Sequence, residues 1–173
     1  MKASTFWKTV TVDDSGLLEQ LVSLLDDERV RYCVIGGQAV NAYAEPVVSL
    51  DLDLVVAVEE LARVESLLAR RFRVDRFPHS LNVSLAGSDL RVQIQLDPRY
   101  HPFIDHASVR DVLGVPLPVA RLEDVLQGKI WAAEDPTRRR SKRQKDLADI
   151  ARVLERYPEL RTRVPATILD RLV

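Results

Sequence analysis

The chain has 173 residues, 25 Lys and Arg against 26 Asp and Glu, and a formal net charge of −1. That balance removes the crudest argument for nucleic-acid binding, and 46% hydrophobic with 29% charged residues is too apolar for intrinsic disorder. The longest apolar run, Leu54 to Val58, is far too short to span a bilayer, and Cys33 is the only cysteine, which excludes an internal disulfide and a cysteine zinc site. The opening residues MKASTFWKTV lack the apolar centre of a signal peptide, so a cytoplasmic protein with one core and no membrane attachment is expected.

Leu17, Leu18, Leu21, Leu24 and Leu25 are spaced for one face of a helix, with Asp13, Asp14 and Ser15 before it as candidate caps. Val30 to Ile35 reads as a short buried strand broken by Gly36-Gly37. Gln38 to Tyr43 suits a helix that must end near Pro46, because the residue before a proline avoids the α region. Val47 to Val58 is rich in β-branched residues and predicts a strand; Leu61, Val64, Leu67 and Leu68 return to helical spacing. Three period-two runs follow, 74–77, 81–85 and 90–96, the last two joined by a Gly87-Ser88 turn. From Phe103 the sequence reads as helical. Val115 to Val119, with prolines at 116 and 118, predicts a connector or edge strand. Leu122, Val125, Leu126, Ile130 and Trp131 form a helical stripe, and Leu147, Ile150, Ala151 and Leu154 another. The expected fold is α+β: a mixed sheet with helices mainly on one face, a core over residues 1–114 and a helical C-terminal segment over 115–173 packed on it in one structural domain.

The residues that point to chemistry lie between 35 and 54: Ile35-Gly36-Gly37, a spacer of thirteen residues, then Asp51-Leu52-Asp53-Leu54. On a strand, Asp51 and Asp53 project from the same face while Leu52 and Leu54 point inward. Two adjacent carboxylates repel unless they share a proton or a divalent cation, and Mg²⁺ is held by one or two carboxylates together with substrate phosphates. Paired glycines let backbone N–H groups approach a phosphate, and the helix behind them offers its N-terminus to the anion. Taken alone, a Gly-Gly pair is a turn and an Asp-x-Asp pair a solvated strand edge; their order and phase point to phosphoryl or nucleotidyl transfer.

The segment IGGQAVNAYAEPVVSLDLDL resembles the signature of the DNA polymerase β-type nucleotidyltransferase superfamily, and within it the minimal bacterial nucleotidyltransferases and AbiEii-type toxins. Two later stretches are similar to further elements of those proteins: a lysine-bearing helix, here 122–132 with Lys129, and Lys145-Asp146-Leu147-Ala148-Asp149. The resemblance implies a polymerase β-like fold and Mg²⁺ on Asp51 and Asp53, which would serve as the catalytic pair. It also implies an NTP contacted by Gly36, Gly37, Ser49, Lys129 and Lys145, whose nucleotidyl group passes to an acceptor hydroxyl on RNA, tRNA or a protein.

The pattern also departs from the superfamily. A third carboxylate is expected from a neighbouring strand, and the candidate strand 89–97 carries Gln93 and Gln95 there. A glutamine cannot act as a carboxylate base. The Arg-x-Thr that toxin-like members carry before the first aspartate is Val47-Val48-Ser49 here, and Glu45 adds an acid nearby. A degenerate nucleotide- or partner-binding protein, or the toxin of a toxin–antitoxin pair with an antitoxin-like partner, are the alternatives. The run 138–145 holds six positive charges in eight residues, a candidate contact for tRNA or another nucleic acid as well as an ordinary solvated helix entrance. His101 and His106 do not share a helix face, which weighs against a zinc site with Asp105.

Overall fold

The computed structural model describes residues 15–172. Helix α1 (Leu17–Asp27) buries all five predicted leucines. Of its expected caps, Asp13 and Asp14 lie outside the described residues; the N-cap position is held by Gly16, whose φ of 66° is a left-handed conformation suited to glycine. Strand β1 (Tyr32–Ile35) is buried along its whole length, as its central place in the sheet requires. Cys33 lies within it; burial pushes its thiol up to about 12, so it behaves as a small hydrophobe.

Gly36 and Gly37 do not separate the strand from the next helix as expected. They form the first turn of α2 (Gly36–Tyr43). Strand β2 is shorter than its apolar run predicts, Asp51–Val56, and alternates as expected at its start, with Leu52 and Leu54 buried and Asp51 and Asp53 half-buried. Helix α3 (Leu61–Ala69), strand β3 (Arg73–Phe77), strand β4 (Ser80–Ser84) and strand β5 (Arg91–Gln95) follow where the periodicity places them.

The helical expectation beyond Phe103 needs correcting. A 3₁₀ segment, Pro98–His106, is followed by strand β6 (Ser108–Val112), which pairs antiparallel with β7 (Val115–Val119). β7 is an interior strand, because it also runs parallel to β1. Its prolines are tolerated for a reason of phase. The Ala120 N–H donates to the Val34 carbonyl, so even-numbered residues face β1, where the ladder has a single registered pair, while odd-numbered ones bond to β6. Helices α4 (Leu122–Glu134) and α5 (Arg140–Arg156) then pack on each other and on α2, and a short α6 (Ala166–Leu169) closes the described chain.

The seven strands form one mixed sheet in the order β3-β4-β5-β2-β1-β7-β6. The fold is α+β, and β2 with its two aspartates lies at its centre between antiparallel β1 and parallel β5. Among the described residues, no helix is long and apolar enough to cross a membrane.

Candidate active site

In the β1–β2 ladder, Ile35 is registered with Asp53, so the chain leaves the sheet directly over that carboxylate. Gly36 takes φ 71°, and a Cβ built on it would land inside the Asp53 carboxylate. Glycine is required twice here, by backbone conformation and by space. Gly37 differs: a Cβ there would meet Asp149 Oδ2 at 3.8 Å, an ordinary contact. The two glycines look alike in sequence, yet only the first is dictated by the carboxylate.

Asp51 Oδ1 accepts an ion pair from Arg91 Nε at 2.8 Å, and its Oδ2 lies 3.3 Å from Lys142 Nζ. Arg91 is its registered neighbour on β5, whereas Lys142 comes from the first turns of α5. Burial raises the Asp53 carboxyl above its ordinary value. Lys129 opposes that shift and the adjacent Asp51 adds to it.

Beside this pair lies a second one. Lys129, only 8% exposed, places its ammonium 3.0 Å from Asp146 Oδ1 and 2.7 Å from Asp149 Oδ2. Arg138 Nε donates to Asp146 Oδ2 at 2.7 Å, and Arg152 Nη2 reaches Asp149 Oδ1 at 2.7 Å. Burial alone would push the Lys129 ammonium down, but Asp149 and Asp146 reverse that and hold it up. Burial likewise raises Asp149, and Lys129 with Arg152 outweighs it, leaving the carboxyl below the ordinary range. The spacing 146/149 places both acids on one face of α5.

The segment before β2 is tied down by side-chain amides. Asn41 Nδ2 donates to the Val47 carbonyl at 2.7 Å while its Oδ1 accepts from the Val47 N–H at 3.0 Å, and Gln38 Nε2 donates to the Ser49 carbonyl at 2.9 Å. Arg152 Nη1 donates to Asn41 Oδ1 at 3.0 Å and also to the Glu45 carbonyl. Val47 and Ser49 thus take side-chain hydrogen bonds from α2 in place of a strand ladder, and Arg152 of α5 braces Asn41 and Glu45 behind them.

These groups surround a cleft of about 580 Å³. Asp51, Asp53, Gly37, Ser49, Lys129 and Lys145, all singled out from sequence, line it, while Gly36 lines a smaller recess of about 80 Å³ behind Asp53. Ser49 Oγ accepts from the Asp51 N–H at 3.2 Å. Lys145 and Asp146 are not paired with each other; Asp146 faces Lys129 and Arg138, and the exposed Lys145 points at the cleft with Arg139. The pairing of Arg91 and Lys142 with Asp51, and of Arg152 with Asn41 and Glu45, escapes sequence reasoning, since those partners lie tens of residues away. His101, Asp105 and His106 do not assemble: Asp105 pairs with Arg31 at 2.6 Å, and no group of three His, Cys, Asp or Glu suited to a metal occurs among the described residues. Phe103 is buried in the hydrophobic core and stacks with centroids 5.8 Å apart on the half-buried Trp131, which packs against that core.

A glycine turn aimed at an Asp-x-Asp strand in a mixed sheet defines a nucleotidyltransferase-type protein. Residues 34–172 match the family described as nucleotidyl transferase AbiEii toxin, type IV toxin–antitoxin system, and the chain belongs to that family. No curated protein sequence matches it. Among solved structures it is similar to ANT(2″)-Ia in complex with adenylyl-2″-tobramycin, at 16% identity and TM-score 0.60 over 91% of this chain and 97% of that one. It is also similar to the lincosamide antibiotic adenylyltransferase LnuA, lincomycin-bound, at 13% identity and TM-score 0.54 over 83% and 99%. A third is an antigenic nucleotidyltransferase-like protein from Paracoccidioides brasiliensis, at 17% identity and TM-score 0.52 over 84% and 78%. At such identities these likenesses establish the fold.

Proposed function

We propose that the chain transfers a nucleotidyl group from an NTP to a hydroxyl at the end of an RNA acceptor, as the toxin of a toxin–antitoxin pair. The observation that carries this is the juxtaposition of Asp51 and Asp53 with the Gly36 turn and a cationic wall in one cleft. Two hard carboxylate groups on one strand face, with room beside them for phosphate oxygens, fit Mg²⁺ and suit no soft metal. Asp51 and Asp53 would hold it. When bound, it would supply charge stabilisation at the attacking and leaving oxygens.

The protein's own groups do the rest. Arg139, Lys142 and Lys145 neutralise the triphosphate, and the N–H groups of the first turn of α2 approach its oxygens. The acceptor hydroxyl gives its proton to solvent as its oxygen bonds to the α-phosphorus, and the bond from that phosphorus to the β-phosphate oxygen breaks with its electrons on the departing pyrophosphate. Lys142 is engaged with Asp51 in this structure, which places it beside the carboxylate pair. The basic run 138–145 borders the cleft and would continue along an acceptor backbone.

The test is transfer of label from each α-labelled NTP to bacterial RNA by the purified chain, beside Asp51→Asn/Asp53→Asn. Label on RNA with the unmodified chain and none with the variant is expected; no label from any NTP contradicts the proposal. Growth arrest on expression of the unmodified chain, relieved by a neighbouring antitoxin-like gene product, is the expected counterpart in cells. One observation favours a second function, a nucleotide binder without chemistry: Gln93 stands in register with Asp53 where the superfamily has a carboxylate. Metal-dependent NTP binding without transfer to any acceptor would select it.

A further inference from the structure

The cleft is chemically two-sided. On the α5 side stand Arg138, Arg139, Lys142, Lys145 and Arg152. On the other side the sheet continues from β2 to β5 and β4, and its registered neighbours form a row: Asp53 beside Gln93, Gln93 beside Asn82. Registered residues of adjacent strands share a face, so the two amides extend the floor outward from the carboxylate. Both are exposed and line the cleft, and neither side-chain amide has a hydrogen-bond partner among the described residues. By the same alternation Phe77, registered with Ser80 at the hairpin end, belongs to this face; it is 48% exposed and forms the lip.

Exposed aromatic area and unengaged amides side by side are the two halves of recognition for a planar, uncharged, hydrogen-bonding group: a ring face to stack on, and donors and acceptors for its edge. The triphosphate belongs on the cationic side. Strands β4 and β5 carry one basic residue between them, Arg91, and it is already paired with Asp51. The next registered residue of the row, Asp75, is held by Arg73 at 3.0 Å, so an ammonium-bearing acceptor would find no unpaired carboxylate along it beyond Asp53.

From this we infer that Asn82, Gln93 and Phe77 form the acceptor subsite, which takes the uncharged sugar and base of a terminal nucleotide and directs its hydroxyl toward Asp53. This rests on the nucleotidyl-transfer proposal above and assigns that site's acceptor half. Phe77 is the stacking platform and Asn82 reads the edge of the base, leaving Gln93 beside the reacting hydroxyl.

The test uses the full chain, as wild type, Asn82→Ala and Phe77→Ala. One titration follows a fluorescently labelled short single-stranded RNA with a free 3′ hydroxyl, at two salt concentrations; the other follows NTP with Mg²⁺ by calorimetry. Both residues are exposed, and unchanged thermal melting checks that the fold is intact. Loss of one stacking platform is expected to weaken RNA binding about fivefold or more, and loss of one amide roughly threefold to tenfold. The factor should be equal at both salt concentrations, since no charge is removed. NTP binding should stay within about twofold. Unchanged RNA affinity in both variants overturns the assignment. So does the reverse pattern, NTP affinity falling while RNA affinity holds, which would give this wall to the base of the incoming nucleotide. If the unmodified chain binds no NTP, the transfer proposal fails on its own, and the RNA response of the two variants still decides the subsite.

Discussion

Two pairs of carboxylates meet in this cleft, and they are built in opposite ways. Asp51 and Asp53 are two apart on a strand, whereas Asp146 and Asp149 are three apart on a helix, so each element's own period puts its pair on one face. The helix pair is saturated. Buried Lys129 bridges it, and Arg138 and Arg152 complete it at 2.7 Å each. The strand pair is loosely served: Asp51 has the exposed Arg91 and the half-exposed Lys142, and Asp53 stands under Gly36 with its carboxyl pushed up by burial. One pair fixes α4 to α5 beneath the cleft, and the other is the pair we propose to hold a cation.

That contrast can be broken from either side. The largest effect is expected from Lys129→Met, which leaves two buried carboxylates facing each other without their bridge. Removing one member of a buried ionic cluster costs about 3 kcal/mol or more, so melting should fall by roughly 6–12 °C. Equal melting of variant and wild type would show the bridge to be dispensable. Asp53→Asn should do the reverse, leaving melting at neutral pH equal or higher, because the fold disfavours the ionised form of Asp53. Metal-dependent NTP binding should nevertheless fall by about 100-fold, on the order of 2.7 kcal/mol. Gly36→Ala should share that binding defect through its collision with the same carboxylate, while Gly37→Ala binds nucleotide within a few fold of wild type. Equal defects in both glycine variants would mean that Asp53 is not what constrains the turn.

A pH titration sharpens the comparison further. Asp149 is held below its ordinary value of 3.8, so its contribution to stability is complete above that pH and is lost as pH falls through the lower folded value. Asp149→Asn should therefore be less stable than wild type at pH 7, by about 1–3 kcal/mol, with the gap closing below pH 3.8 in acid unfolding curves. A gap independent of pH would place the effect outside this ion pair. The smallest change is expected of Lys142→Ala, a few-fold loss of NTP affinity with no change in melting, since its partner Asp51 keeps Arg91.

How much of this could be read from the chain depends on the range of the interaction. Asp51 and Asp53 were legible because a strand's period of two and a glycine pair at fixed spacing are local signals. Lys129 and the 146/149 acids were visible as elements, yet their mutual bridge was not, because nothing local says that α4 packs on α5 through charge. Strand β6 was missed for a physical reason: at a sheet edge, Ser108, Arg110 and Asp111 remain exposed, so the apolar alternation that marks a strand is absent. The shortened β2 has a similar cause, since Val47 and Val48 have the composition of a strand but take their contacts from Asn41 and from the cleft. The difference between Gly36 and Gly37 needed the β1–β2 register, which no spacing rule supplies.

The central claim, that Asp51 and Asp53 hold a nucleotide through a metal, is tested most directly by calorimetric titration of the chain with each NTP, with and without Mg²⁺, beside Asp51→Asn/Asp53→Asn. The account predicts binding of at least one NTP that requires Mg²⁺ and disappears in the variant while the fold persists. Binding of the same strength without Mg²⁺ or in the variant, or no binding of any NTP, would contradict it.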